Sequence, residues 1–390
     1  MRMEKITICG GGNGAQTLAC IAGQNLACDV DMYAPFRGEA ERLREGIEAH
    51  GGIEARGAVR GRGCPHRVSG EAAHVIPGSQ AVVFVVPAFA HESTLHKIIP
   101  YLDDGAWVGA MPARGGLDYC MARVLEDAGR SDVSAFGLQT LPWACRVAEY
   151  GRTVQVLGVK ETVDAASRPA ARLGRIVPVL EQMVGVPIGD AGSMLALTLA
   201  NTGQIIHPGI MYDFFADWDG ETFDDGQVPL FYQGLSEEGA ERLGEMSREI
   251  QRICACLADS SLDLSSVYDL KTWLVRSYGD AILDASSLHS AFVTNQAYAG
   301  LRAPVKEVAP GQFAPAFGAR YLAEDVPYGL AVSQAIARLA GVETPVMDLV
   351  VSWARQRVGG EAGGDETNDR TPQAHDLNDL EALIRFTMEE

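Results

Sequence analysis

The chain has 390 residues, 47% of them apolar and 21% charged, the balance of a soluble globular protein rather than a disordered or collagen-like one. At roughly 150 residues per domain this is too long for a single core, so two domains are expected. Asp and Glu number 51 against 32 Lys and Arg, a formal charge of −19, and such a chain repels phosphate backbones and anionic lipid, which argues against nucleic-acid and membrane partners.

The eight cysteines, Cys9, Cys20, Cys28, Cys64, Cys120, Cys145, Cys254 and Cys256, lack the C-x-x-C spacing of a structural zinc site, so no metal is expected and most should be buried thiols. Arg2 and Lys5 precede an apolar stretch as in a secretory leader, but the glycines at 10–12 interrupt it too early, and no run of 18 apolar residues follows anywhere. The expectation is a reduced, cytoplasmic protein.

Lys5 to Cys9 alternates and is β-branched, then runs into Gly10-Gly-Gly-Asn-Gly-Ala15 and a helical segment from Gln16 to Gly23. Cys28 to Ala34 repeats the strand signal, and Phe36 to His50 is rich in helix formers. Ala81 to Val86 is a continuous apolar run ended by Pro87, the pattern of a strand covered on both faces. Further buried strands are expected at Trp107 to Met111 and Val133 to Leu138, which makes βαβ units and a doubly wound parallel sheet. Val154 to Val159, a helix over Ala165 to Met183 and Val186 to Ile188 would finish that sheet.

Beyond the boundary at Asp190-Ala-Gly192 the pattern turns helical, with apolar residues three and four apart in Leu195 to Ile206, Ser236 to Cys256, Val267 to Tyr278, Leu330 to Leu339 and Val346 to Val358. Gly359 to His375 has no periodicity and reads as an exposed loop. Asn378-x-x-Glu381 then offers a cap for a last helix. The fold class is therefore an α/β Rossmann domain with a doubly wound parallel sheet at 1–190, followed by an all-helical domain at 191–390.

Gly10-x-Gly12-x-x-Ala15 follows a strand and opens a helix, the context a dinucleotide fingerprint requires. A Cβ at Gly10 or Gly12 would block the turn or the approach of a pyrophosphate, and the backbone N–H groups of Gly12, Asn13, Gly14 and Ala15 face the ligand at the helix start. A glycine-rich turn without a ligand is the alternative. No Asp or Glu stands near Ala34, where an acid would hold the ribose 2′-hydroxyl, and Arg37 lies just beyond, so the cofactor is NAD(H) or NADP(H) with a lean to NADP(H). Arg37 is otherwise a surface arginine.

Several uncommon motifs occur in one order: Gly10-Gly-Gly-Asn-Gly-Ala15, Pro87-Ala-Phe-Ala-His-Glu92, Thr140-Leu-Pro-Trp-Ala-Cys-Arg146, His207-Pro208, Leu230-Phe-Tyr-Gln-Gly234 and Phe317-Gly-Ala-Arg-Tyr-Leu-Ala-Glu-Asp-Val-Pro327. Nearly end to end, the chain resembles the octopine dehydrogenase branch of the opine dehydrogenases. The resemblance implies a Rossmann domain followed by a helical domain. It also implies NAD(P)H-dependent coupling of an amino acid, or taurine, to a 2-oxo acid such as pyruvate, giving a secondary amine dicarboxylate or its sulfonate analogue.

That chemistry needs a group titrating near neutrality, and histidine is the usual choice. His207 follows an apolar helix and precedes Pro208, placing it at a helix end or break; taken alone it is as readily a packed core histidine. The resemblance makes it the acid/base, with Asp325 as the carboxylate that fixes its tautomer and Arg320 as the holder of a substrate carboxylate. Asp325 is otherwise a helix cap and Arg320 a surface ion pair. Thr140 and Trp143 would wall the substrate, although a buried Trp143 is most simply core.

Pro87 and Ala88 would line the nicotinamide ribose, with His91 beside them either a second titrating group or, more simply, a solvated loop residue. Arg114 points to the crevice as a second binder of the oxo-acid carboxylate; arginine-using relatives carry a neutral amide there. Those relatives also carry an acid immediately before Thr-Leu-Pro-Trp, where this chain has Gln139, which predicts a neutral amino acid or taurine rather than arginine. Rival readings are a 2-oxo-acid reductase forming a hydroxy acid and a non-catalytic NAD(P)-sensing protein. The partners expected are small molecules, and the assembly is a monomer or homodimer.

Overall fold

The computed structural model describes residues 3–36, 38–258, 262–359 and 370–389. It divides into two compact units, one of Met1–Ala113, Leu117–Leu197 and Glu389–Glu390, the other of Arg114–Gly116 and Thr198–Met388.

In the first unit the strands are β1 (Lys5–Cys9), β2 (Asp29–Tyr33), β3 (Ile53–Gly57), β4 (Gly61–Gly63), β5 (Arg67–Ser69), β6 (Ala81–Phe84), β7 (Trp107–Ala110), β8 (Ser134–Leu138), β9 (Trp143–Glu149), β10 (Thr153–Val159), β11 (Val163–Arg168) and β12 (Ile188–Asp190). Its helices are α1 (Asn13–Asn25), α2 (Glu39–His50), α3 (Ala72–Val75), α4 (His91–Ile98), α5 (Leu117–Asp127) and α6 (Leu173–Val184). Eight strands form one sheet in the order β12-β11-β8-β7-β6-β1-β2-β5, parallel throughout except where β11 runs antiparallel to β8. Alternate residues of β6 enter cores on opposite faces, Ala81 and Val83 into one and Val82 and Phe84 into the other. That is why the run has no polar interruption.

Three expectations are corrected in this unit. Val154 to Val159 is β10, but it lies in a second sheet of order β4-β3-β10-β9, paired antiparallel with β9. Val154 and Val156 are fully buried while Leu157 is 45% exposed, the half-covered alternation of a hairpin strand. The segment expected as one helix from Ala165 to Met183 begins as strand β11, makes a 3-10 turn over Ala170–Arg172 and becomes α-helical at Leu173; Pro169 disfavours helical backbone at Arg168. His91 is buried, its Nε2 3.2 Å from the Val86 carbonyl oxygen, so it is not a solvated bystander.

α7 (Met194–Leu199) precedes the helices of the second unit, α8 (Gly203–Phe215), α9 (Glu237–Ala258), α10 (Leu270–Tyr278), α11 (Leu288–Val293), α12 (Arg320–Ala323), α13 (Ala331–Leu339), α14 (Pro345–Val358) and α15 (Leu380–Met388). The unit is helical as expected and also carries a small antiparallel sheet, order β13-β15-β14, of β13 (Phe223–Asp224), β14 (Val305–Ala309) and β15 (Gln312–Pro315). Gly209 lets α8 approach α9 closely: a Cβ there would stand 2.4 Å from Leu243 Cδ2.

Leu195 to Ile206 is not one helix. The break at Ala200–Thr202 separates α7 from α8, so His207 sits in the second turn of a helix rather than at a helix end. Near the carboxyl terminus, 360–369 lie outside the described residues, but Arg370 and Thr371 are buried, so the end of the expected exposed loop packs inside. The last helix is capped by Asp379, whose Oδ1 accepts from Ala382 N–H at 2.8 Å, rather than by Asn378. Among the described residues no helix is long and apolar enough to cross a membrane.

Candidate active site

The glycine turn of the first unit is built for an approaching ligand. Gly10 has φ +127°, a conformation that favours glycine, and a Cβ there would lie 2.6 Å from the Val85 carbonyl oxygen. At Gly12 a Cβ would meet none of the described residues within 4 Å, so none of them requires a glycine there. Open space over the start of a 13-residue helix, with no acidic residue in its first turn, suits a pyrophosphate held on backbone N–H groups. Gly14 and Ala15 are buried under it.

Asn13 is exposed at the helix start, and its side-chain oxygen accepts the Val147 N–H at 2.8 Å. Pro87 and Ala88 follow β6 and open a short helical turn. Ala34 follows β2 directly, its N–H donated to the Ser69 carbonyl at 2.9 Å, and no acid stands there. Arg37 lies outside the described residues. Glu39, which sequence reasoning passed over, packs its carboxylate against Gly11; burial pushes its carboxyl above the ordinary range, with Tyr150 beside it pulling the other way.

Leu141 brings the segment 139–143 to the same turn, since a Cβ on Gly14 would lie 3.2 Å from its Cδ2. Gln139 is buried at the end of β8, its N–H donated to the Asp164 carbonyl at 2.9 Å. Thr140 is half-buried beside it. Trp143 is buried at the start of β9 among the core side chains, which matches its plainer reading.

In the second unit His207 is fixed from both ring nitrogens. Nδ1 lies 2.8 Å from Asp325 Oδ2 and Nε2 lies 3.0 Å from the Tyr232 hydroxyl. A carboxylate only accepts, so Nδ1 carries a proton and the neutral ring offers Nε2 as acceptor to the Tyr232 O–H. Tyr321 stacks on the imidazole at 4.2 Å between centroids. Burial, with Tyr321 and Tyr278 nearby, pushes the Tyr232 phenol well above 10, so it remains a hydroxyl at any working pH.

Asp325 reaches this position because the chain after α12 widens into a five-residue π-type turn over Val326–Leu330, in which Leu330 N–H donates to Asp325 O at 3.0 Å; such turns recur at functional sites. The Asp325 side chain caps no helix. Its other oxygen accepts from Arg114, whose Nε also lies 3.3 Å from Glu324 Oε1, and Glu324 pairs in turn with Arg320. Arg114, expected at the crevice as a binder of the oxo-acid carboxylate, has its guanidinium paired with two buried carboxylates. Arg320, paired through Nε alone and 58% exposed along its side chain, keeps its outer N–H groups open.

The family model for the NAD/NADP octopine/nopaline dehydrogenase alpha-helical domain matches residues 190–358. An opine dehydrogenase of Haliotis discus hannai is 35% identical over 98% of this chain and 99% of its own. The chain belongs to the opine dehydrogenase family. A tauropine dehydrogenase of Arabella iricolor is 32% identical over 98% of this chain and all of its own. An octopine dehydrogenase solved with NADH and L-arginine superposes with a TM-score of 0.83 at 30% identity, covering 98% of both chains; its NADH and pyruvate complex gives 0.81.

This opine dehydrogenase family member is an NAD(P)-dependent oxidoreductase acting on CH–NH donors, and its glycine turn fits the nicotinamide dinucleotide that such chemistry uses. Of the residues expected from sequence, His207, Asp325, Arg114 and Arg320 gather in the second unit, and Gly10, Gly12, Asn13, Gly14 and Ala15 in the first. Tyr232, Tyr321 and Glu324 were missed as site residues. All three lie inside the motifs that carry the resemblance, but nothing in their spacing says that they surround one imidazole.

Proposed function

We propose that this chain couples the amino group of a neutral amino acid, or of taurine, to a 2-oxo acid such as pyruvate, with NADPH or NADH as reductant, and runs the reverse oxidation. The observation that carries the reading is His207, held at Nδ1 by Asp325 and with Nε2 directed at the Tyr232 hydroxyl 3.0 Å away, the ring atom at which a proton is exchanged when substrate takes the place of that hydroxyl. In the condensation, Nε2 takes a proton from the substrate ammonium, whose freed lone pair attacks the oxo carbon. The new C–N ammonium passes one proton to the oxo oxygen, making it a hydroxyl, and the proton held on Nε2 returns to that hydroxyl, which leaves as water and yields the imine carbon that hydride reduces. Asp325 holds the imidazolium in one tautomer, and Tyr321 covers one face of the ring.

Gly10, Gly12, Asn13, Gly14 and Ala15 would hold the cofactor's pyrophosphate, Pro87 and Ala88 would flank its nicotinamide ribose, and the cofactor supplies the hydride. Arg320 would bind a substrate carboxylate through its outer N–H groups. Thr140, half-buried beside Gln139, would line the amine side, and Trp143 would support it from the core. Ala34 in place of an acid supports use of NADPH at least as well as NADH, while the Glu39 carboxylate against Gly11 keeps that preference small. Eight free cysteines support a cytoplasmic, reducing location.

Gln139 supports a neutral donor, because a guanidinium opposite an amide forfeits a charge-assisted bond of roughly 1.5–3 kcal/mol. The test is NADPH and NADH oxidation with pyruvate alone, then with alanine, glycine, taurine or arginine added. Turnover should depend on the amine and be poorest with arginine. Gln139→Glu should raise kcat/KM for arginine relative to alanine by about 10 to 100-fold. Oxidation with pyruvate alone would mark a 2-oxo-acid reductase, and tight cofactor binding without turnover of any pair would mark a sensor.

A further inference from the structure

Arg114 has φ +61°, a left-handed conformation uncommon outside glycine that persists where the surroundings enforce it. The enforcement is visible: Gly115 N–H donates to the Tyr328 carbonyl at 2.8 Å, inside the π-type turn that presents Asp325. The arginine backbone is thus clamped to the element carrying the catalytic carboxylate, and its guanidinium grips Asp325 and Glu324. Both side chains flank Gly203: the point a Cβ would take there lies 3.5 Å from His207 Cε1 and 3.8 Å from Arg114 Nη1, which sets the guanidinium within about 7 Å of the ring.

We propose that Arg114 is a positioning residue that sets the working pH of His207 through Asp325, rather than a ligand of the oxo acid. The inference rests on the opine dehydrogenase reading for its kinetic consequence. The groups facing His207 are Asp325 at Nδ1, the Tyr232 hydroxyl at Nε2, the Tyr321 ring on one face and Phe231 at 6.0 Å. Behind Asp325 stand Arg114, Glu324 and Arg320. Asp325 and Glu324 are matched by two guanidiniums, so the imidazolium meets a carboxylate already neutralised from its far side. A fixed positive charge there disfavours a second one on the ring.

The sign follows. Arg114→Gln removes a cation that competes for Asp325 and repels the imidazolium, so His207 takes its proton at a higher pH than in the wild type, by about 1 to 2 pH units. Arg114→Lys keeps the charge and should hold the wild-type midpoint. Glu324→Gln strips the guanidiniums of one counter-charge and should move the midpoint down. Opposite shifts from two neighbouring substitutions do not arise from loosened packing.

The measurement is an NMR titration of the His207 imidazole in the full-length protein, assigned by the signal lost in His207→Ala, paired with pH profiles of kcat/KM. Arg114→Gln should move the acid limb of opine oxidation and the acid limb of condensation, both of which need neutral His207, to higher pH. An unmoved midpoint in Arg114→Gln, with KM for the oxo acid raised tenfold or more, would return Arg114 to substrate binding and overturn the proposal. Loss of kcat in all three variants without any movement of the midpoint would overturn it too, leaving Arg114 a structural residue. The titration needs no turnover, so a failure of amine-dependent activity would strike the opine dehydrogenase reading while this result still stood or fell by itself.

Discussion

His207 illustrates how one side chain acquires a role from its partners. An imidazole on a helix is as readily core as catalyst, but a carboxylate on Nδ1 and a hydroxyl on Nε2 leave it only proton exchange at Nε2. His207→Ala should therefore cut amine-dependent turnover by about 10² to 10⁴-fold while NAD(P)H affinity, measured by fluorescence titration, stays at the wild-type value. Asp325→Asn should slow turnover as well, because an amide facing Nδ1 permits the wrong tautomer. Rates close to wild type in both variants would remove the pair from the chemistry.

At the level of elements, the strand-turn-helix from β1 to α1 separates two uses of glycine. Gly10 serves the fold: a Cβ there collides with the Val85 carbonyl in a backbone conformation that disfavours side chains. Gly12 serves the ligand, because its Cβ would point into open space. Gly10→Ala should thus lower stability by about 2–4 kcal/mol in urea unfolding. Gly12→Ala should leave the unfolding midpoint unchanged and weaken NAD(P)H binding by about 10-fold or more, through obstruction of the pyrophosphate. Equal affinity in Gly12→Ala would mean that phosphate does not rest on this turn.

Over the whole molecule, burial of thiols in both units makes stability sensitive to alkali. Cys254 is pushed up to about 12 from an ordinary 9.0 by burial, and burial also pushes Cys9 upward. A raised folded-state value means that the stabilisation is fully present below pH 9 and is lost as pH climbs from 9 towards 12, because only the unfolded chain releases the proton freely. Each such thiol removes about 1.4 kcal/mol per pH unit inside that window. The urea midpoint should hold steady up to about pH 8.5 and then fall, and Cys254→Ala should show a shallower fall by about one proton. A midpoint flat to pH 11 would show that these thiols ionise in place.

The sequence by itself determined the dinucleotide turn, the alternation of strands and helices before Asp190, the helical character after it, and the family, because each of these is written in local spacing: glycines at fixed offsets, apolar periods of two and three to four, and short motifs in one order. Tertiary structure alone decided the partition of strands between two sheets, since β6 and β10 both read as strands and local spacing does not say which neighbours each pairs with. It also decided that His207 lies within α8, which turns on the break at Ala200–Thr202 rather than on Pro208. Most of all it decided what the charges do. Arg114 stands 211 residues from Asp325 in the chain, and whether a guanidinium meets substrate or a buried carboxylate depends on the folded path between them, about which composition and local pattern carry no information.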